Sequence, residues 1–264
     1  MAQAPDYVKK PFASSILLWM RTDKPRQHGM DHWKGPHSKI ISVTPGFEEY
    51  RQIHLAETNP GLWPAISGVE TAIPVDRRID GVAEVTFTSV ISPLRGRKQT
   101  RLAYKDEVNV FRRTLLYAGP PNSARWYDVA DPSEKAQARA LIYLRRRQEI
   151  KTGAFRRFFH DEIVPALAHT GMLKELRTQV FMPWNRRLWN TPNVAHDNPT
   201  NQRIHASMIL GFTDADALRA CFAGDTVTKV STLLPAFVSA IHAYEVSETL
   251  TYVQNGRILP TYQK

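Results

Sequence analysis

Two groups of side chains near the start of the chain have the types and spacing to move a proton. Trp33 and His37 are four residues apart, so on a helix they share one face. Tyr50, Gln52 and His54 alternate along FEEYRQIHLA, so on a strand they share one side of a sheet. An imidazole serves as acid or base near neutral pH without special tuning. His37 and His54 are therefore the catalytic candidates together with Tyr50, and Trp33 and Gln52 would contact a substrate. Polar groups also interrupt later apolar runs: Glu84 with Thr86, His205 with Ser207, and His242 with Tyr244. Glu84, His205 and Tyr244, with Trp19 on the first apolar run, complete the candidate substrate-binding set. Each has a plainer reading, as a packed core histidine or a polar group at a solvent-facing edge.

Other chemistries find less support. His28, His32 and His37 crowd one segment, yet no glutamate follows in the HExxH manner, and Gly29, Gly35 and Pro36 interrupt a regular helix. No metal is expected. The chain carries no P-loop, GxGxxG turn, GxSxG elbow or CxxC pair, which disfavours nucleotide cofactors and covalent serine chemistry.

The single cysteine, Cys221, excludes an intrachain disulfide and fits a reducing compartment. No apolar run reaches the roughly 18–20 residues that cross a bilayer. MAQAPDYVKKPF lacks the order of a secretory signal, so a cytoplasmic protein without a membrane is the expectation. The net charge of +10 raises the question of nucleic acid, but the basic residues fall in short scattered groups such as Arg145–Arg147. No nucleic-acid partner is expected. A positive field of this kind attracts small anions, so the expected partner is a small anionic or aromatic molecule, with a homodimer left open.

The elements that must position these residues come in two sets. Ser15–Arg21 (SILLWMR) is echoed by Arg139–Arg145 (RALIYLR), and Val82–Thr88 (VAEVTFT) by Ala206–Phe212 (ASMILGF), both at 124 positions (139 − 15 and 206 − 82). Trp126–Val129 (WYDV) and Ala243–Val246 (AYEV) are 117 apart (243 − 126), which implies a short insertion in the first copy. A repeated separation points to tandem duplication. Period and breakers predict a strand at 15–21, a helix at 30–43, strands at 47–56 and 82–89, a helix at 100–117 and a strand at 125–130. The second copy predicts a strand at 139–146, a helix at 152–169, strands at 173–183 and 203–213, a broken helix at 215–240 and a strand at 241–252. The order is β-α-β-β-α-β twice. The predicted fold class is α+β: two tandem ferredoxin-like units, 12–131 and 136–256, joined at Asp131–Lys135 and packed sheet to sheet. A site would lie between the sheets. Tyr50, Gln52 and His54 would face it, and Arg51, Ile53 and Leu55 would meet the helices.

The stretch Gly29–Leu55, GMDHWKGPHSKIISVTPGFEEYRQIHL, resembles the EthD family of the dimeric α+β barrel superfamily. In that family an aromatic residue stands four positions before a histidine on the first helix, then a Pro-Gly turn leads to a strand with Tyr and His. Trp33, His37, Pro45-Gly46, Tyr50 and His54 match. The resemblance implies a fused version of the dimeric barrel. It also implies a cofactor-independent acid/base lyase, decarboxylase or isomerase acting on a small aromatic or polyketide-like acid. A non-catalytic ligand-binding or stress-response protein and a haem-binding barrel are the alternatives. Aligning the second helix places Phe159 opposite Trp33 and Ile163 opposite His37, so the second copy has lost the family histidine. His160 lies one turn earlier. The first half would then carry the site and the second complete its walls.

Overall fold

The structure is a computed structural model that describes residues 5–131 and 133–260, so Pro132 of the expected linker lies outside the described residues. The first half runs β1 (Tyr7–Lys10), β2 (Phe12–Met20), then α1 (Arg26–His32), which passes through a π-helical turn, Trp33–His37, into α2 (Ser38–Ser42). β3 (Phe47–Leu55), β4 (Gly81–Phe87), α3 (Arg97–Glu107), β5 (Phe111–Ala118) and β6 (Ala124–Tyr127) follow. The second half runs β7 (Ala138–Arg146), α4 (Thr152–Phe158), a second π-helical turn at Phe159–Ile163, and α5 (Val164–Ala168). It ends with β8 (Leu173–Val180), β9 (Ala206–Phe212), α6 (Ala215–Ala223), α7 (Asp225–Leu233), β10 (Val238–Gln254) and β11 (Arg257–Ile258).

The strands form one antiparallel sheet in the order β1-β6-β8-β9-β7-β10-β3-β4-β2-β5, with β11 on β10. Each half contributes four neighbours in the same relative order, β3-β4-β2-β5 and β8-β9-β7-β10. The halves also exchange strands. β10 pairs β7 along its first part and β3 along its second, while β6 leaves the first half to pair β8. The sheet curls back on itself where the Met182 amide, just past β8, donates to the Ala118 carbonyl of β5 at 2.9 Å. No helix among the described residues is long and apolar enough to cross a membrane.

Burial divides the apolar residues into three cores. Leu17, Trp19, Ile53, Leu55, Tyr143 and Tyr244 fill the interior enclosed by the sheet. Ile16, Leu18, Trp33, Tyr50, Val85 and Phe111 lie between the first half's strands and its helices. Phe155, Phe159, Ile163, Met208, Leu210 and Val230 do the same in the second half.

This arrangement corrects three expectations. The helix expected over 100–117 stops at Glu107, and Phe111–Ala118 is a strand whose Leu115 lies opposite Leu17 of β2. Its aromatic and aliphatic side chains gain more from packing on both faces of a sheet than from a surface helix. The fourth strand of the first half is thus β5, and the expected insertion disappears: Tyr117 and Tyr244, both in the sheet interior, stand 127 apart (244 − 117). Nor does the echo of Val82 by Ala206 align equivalent positions, since Val82 faces the interior and Ala206 the helices.

The third correction inverts the faces of β3. Arg51, Ile53 and Leu55 point to the interior, whereas Tyr50 packs on the helix side. An interior arginine is tolerated because its charge is fully met. Its guanidinium donates to Glu84 at 2.7 Å and Glu175 at 2.6 Å, Arg139 donates to Glu175 at 2.6 Å, and Arg177 reaches Glu49 at 2.5 Å. Arg51, Glu49 and Glu84 belong to the first half, Arg139, Glu175 and Arg177 to the second. Burial penalises the Glu175 carboxylate, yet Arg51, Arg177 and Arg139 outweigh it and hold the group well below the usual carboxylate range.

Candidate active site

The described cavity that matches the chemistry lies on the helix side of the first half, not between the sheets. It encloses about 220 Å³. Phe12, Phe47, Tyr50 and Phe87 from the strands and Trp33 and His37 from the π-helical turn form its walls. Glu107 from the end of α3 completes them, with Leu188 and Trp189 reaching over from the second half. The sheet interior, where a site is expected from the sequence, holds Trp19, Tyr117, Tyr143, Phe181 and Tyr244.

The π-helical turn holds Gly35 and Pro36. Proline supplies no N–H and disturbs the regular ladder. Insertions of this kind recur at functional sites because they re-aim side chains. Here Trp33 is fully buried and stacks on His54 with ring centroids 4.5 Å apart. The close fit depends on Gly81, where an added Cβ would stand 2.3 Å from a Trp33 ring carbon. Gly81→Ala is expected to displace Trp33 and cost about 1–3 kcal/mol, the usual range for overpacking. Urea unfolding and the tryptophan emission maximum check this; an unchanged midpoint would mean that the ring is not tightly held.

His37 sits where it can act as a base. Its Nδ1 lies 2.8 Å from Oδ2 of Asp106, whose other oxygen meets His32 Nε2 at 2.9 Å. A carboxylate only accepts, so His37 carries its proton on Nδ1 and its lone pair on Nε2. Burial pushes the Asp106 carboxyl up, but the hydrogen bonds and charges of His37 and His32 bring it below its ordinary value. Next to it in sequence, Glu107 behaves oppositely. Burial raises its carboxyl to about 7, against the lowering effect of donors Thr191 and Trp189, the latter at 3.1 Å. The cavity therefore combines an oriented imidazole with a carboxyl that is partly protonated near neutral pH.

The other candidates separate into supports and bystanders. Gln52 donates from Nε2 to the Trp33 carbonyl and the Tyr50 hydroxyl, each at 2.8 Å, and its Oε1 meets His54 Nε2 at 3.0 Å. His54 thus fixes the back of Trp33 instead of lining the cavity. Trp19, Glu84 and Tyr244 lie in the sheet interior, with Glu84 in the ion-pair network and the Tyr244 hydroxyl 3.3 Å from the Arg77 carbonyl. His205 is in the second half, where Nδ1 accepts from the Arg146 amide at 3.1 Å. These four are placed away from His37. Asp106 and Glu107 were not among the candidates; the paired acids ending a basic helix were the available signal, whereas Trp189, in a Pro-rich loop, is one of the tryptophans that could cover an aromatic ligand. His28 is exposed and outside the cavity.

The second half departs from the first at the matching place. Its π-helical turn begins at Phe159 and ends at Ile163, 126 residues after Trp33 and His37 (159 − 33 and 163 − 37). Phe155, Phe158, Phe159 and Ile163 pack there, and His160 is buried with Nδ1 3.5 Å from the Tyr127 hydroxyl.

Burial lowers His54 and His205 to about 4 and His160 to about 3. The unfolded chain takes up protons on these groups from about pH 6.5 downward, where the native protein does not. Their contribution to stability is present above about pH 6.5 and lost as pH falls towards their native values. The urea midpoint is expected to be lower at pH 5 than at pH 7.5; equal midpoints would contradict the neutral, buried state of these rings.

The chain shares its overall fold with several solved structures. No family model matches the sequence, and no curated protein does. A "putative monooxygenase" from Fusobacterium nucleatum subsp. nucleatum ATCC 25586 is similar over 93% of this chain and 99% of its own, with TM-score 0.54 and 8% identity. A "putative monooxygenase" from Lactobacillus acidophilus NCFM covers 95% and 100%, with TM-score 0.53 and 10% identity. An anthrone oxidase-like protein covers 92% and 94%, with TM-score 0.56 and 8% identity. At such identities the likeness is one of fold. The expectation of a lyase, decarboxylase or isomerase is corrected: these similar structures bear the names of oxidative proteins.

Proposed function

We propose that the protein is an oxygenase that oxidises a small aromatic compound with an acidic C–H in the first-half cavity. The observation that carries this reading is the His37 imidazole, oriented by Asp106 and accompanied by Glu107, set into walls that are mostly aromatic and aliphatic. His37 Nε2 takes the proton from carbon. The resulting oxyanion accepts a hydrogen bond from protonated Glu107 or from Tyr50, whose phenol burial keeps protonated. The electron-rich carbon then reacts with dioxygen: a CH₂ becomes C=O, one oxygen atom stays in the product and the other leaves as water. Substrate supplies all the electrons, so the balance needs no external reductant. The names of the similar structures support the reaction class, and the anthrone oxidase-like one supports a fused aromatic ketone as substrate.

The match of Gly29–Leu55 to the EthD pattern supports placing the first half, 12–131, with that family. The repeated strand order and the two π-helical turns support a second, diverged unit at 136–256, fused into one barrel. An oxygen electrode with anthrone-type substrates tests the activity. One O₂ consumed per substrate, with ¹⁸O from ¹⁸O₂ entering the product, is expected. Tight binding without oxygen uptake would instead mark a ligand-binding protein.

A further inference from the structure

We infer that the rim of this cavity docks on an anionic lipid surface. Large aliphatic side chains stand in solvent around it: Val43, Val90, Ile91, Leu94, Leu102 and Leu188, with Ile91 and Leu94 about 60% exposed. They belong to three segments that touch one another. Gln99 Nε2 donates to the Ile40 carbonyl at 2.7 Å, the Thr88 amide to the Gly46 carbonyl at 3.0 Å, and the Asn190 amide to the Tyr104 hydroxyl at 3.3 Å. The same segments line the cavity through Ile41, Thr44, Pro93, Gly96 and Thr100.

Exposed aliphatic residues gathered in one place mark a contact surface. The charges among them name the partner. Lys39, Arg95, Arg97, Lys98, Arg101 and Arg186 are exposed and take part in no ion pair among the described residues. No acidic residue occurs between 90 and 105. Aliphatic side chains that enter the acyl boundary, ringed by Lys and Arg that meet anionic headgroups, are the composition of a surface-bound membrane protein. An apolar cavity opening in the middle of that rim could receive an apolar ligand without its crossing water. The inference stands on the cavity and its rim, not on the oxidation chemistry.

The test is sedimentation of the full chain with phosphatidylcholine vesicles, with and without phosphatidylglycerol. Binding is expected only with phosphatidylglycerol, and it should weaken as salt screens the charges. The double substitution Ile91→Ser, Leu94→Ser and the triple substitution Arg95→Ser, Arg97→Ser, Lys98→Ser should each reduce binding about tenfold or more. All five sites are exposed, so the fold should survive, and far-ultraviolet circular dichroism checks it. Lys151→Ser with Arg157→Ser, in the second half, should leave binding unchanged. Failure of the wild-type chain to bind would overturn the inference. So would undiminished binding by the aliphatic variant, or equal losses in the second-half variant, since either would reduce the attraction to net charge.

Discussion

His37→Ala is expected to lower turnover by about 10²–10⁴-fold, the range that a positioned general base supplies, with the substrate dissociation constant little changed. The cavity wall keeps its aromatic members in this variant, so binding and proton transfer separate cleanly. Asp106→Asn tests the positioning of the same ring. An amide NH₂ in place of the carboxylate donates to Nδ1 and moves the imidazole proton to Nε2, where it blocks the base. Turnover should fall with the substrate dissociation constant little changed, a split that a merely structural role for Asp106 would not produce. His160→Ala should retain most activity, because His160 touches Tyr127 in the second half and not the cavity. Equal losses in the His37 and His160 variants would remove the division of labour between the halves.

Arg51→Ala is expected to be the most destabilising single substitution, at about 3–5 kcal/mol, the usual cost of leaving buried charges without their partner. Glu84 and Glu175 would face each other across the join with only Arg139 and Arg177 to compensate. Arg51→Met combined with Glu84→Gln should recover part of the loss, because it also removes the carboxylate that Arg51 leaves with only the Arg177 cation at 3.4 Å, whereas Glu175 keeps Arg139 and Arg177. Urea midpoints for the single and double variants decide the matter. If Arg51→Ala costs under 1 kcal/mol, the network behaves like a solvated surface cluster.

Much of the architecture was legible because period and breakers agree in most segments. The strand beginning at Phe47 follows a Pro-Gly pair whose glycine takes φ 84°, and the second-half elements lie close to their expected limits. Phe111–Ala118 extends the helical pattern in sequence since FRRTLLYA carries apolar residues at spacings that suit either period, and only its pairing with β2 decides. The faces of β3 were inverted for a related reason. An arginine argues for the outside until partners from distant strands neutralise it, and those partners lie 33 and 124 residues away. The site was half visible. Trp33, His37 and Tyr50 share local spacing, whereas Asp106 reaches His37 across 69 residues and Trp189 reaches Glu107 across 82. No local pattern encodes such meetings.

The exchange of β6 and β10 between the halves bears on how the protein comes apart. Each half lends a strand to the other's sheet, so neither can lose its structure while the other keeps a complete one. Unfolding should then be a single cooperative transition of the whole chain, with no stage at which one half stands alone. A change deep in the second half, far from His37, would still abolish activity in step with global melting. The half that lacks the imidazole is thus bound to the fate of the half that holds it.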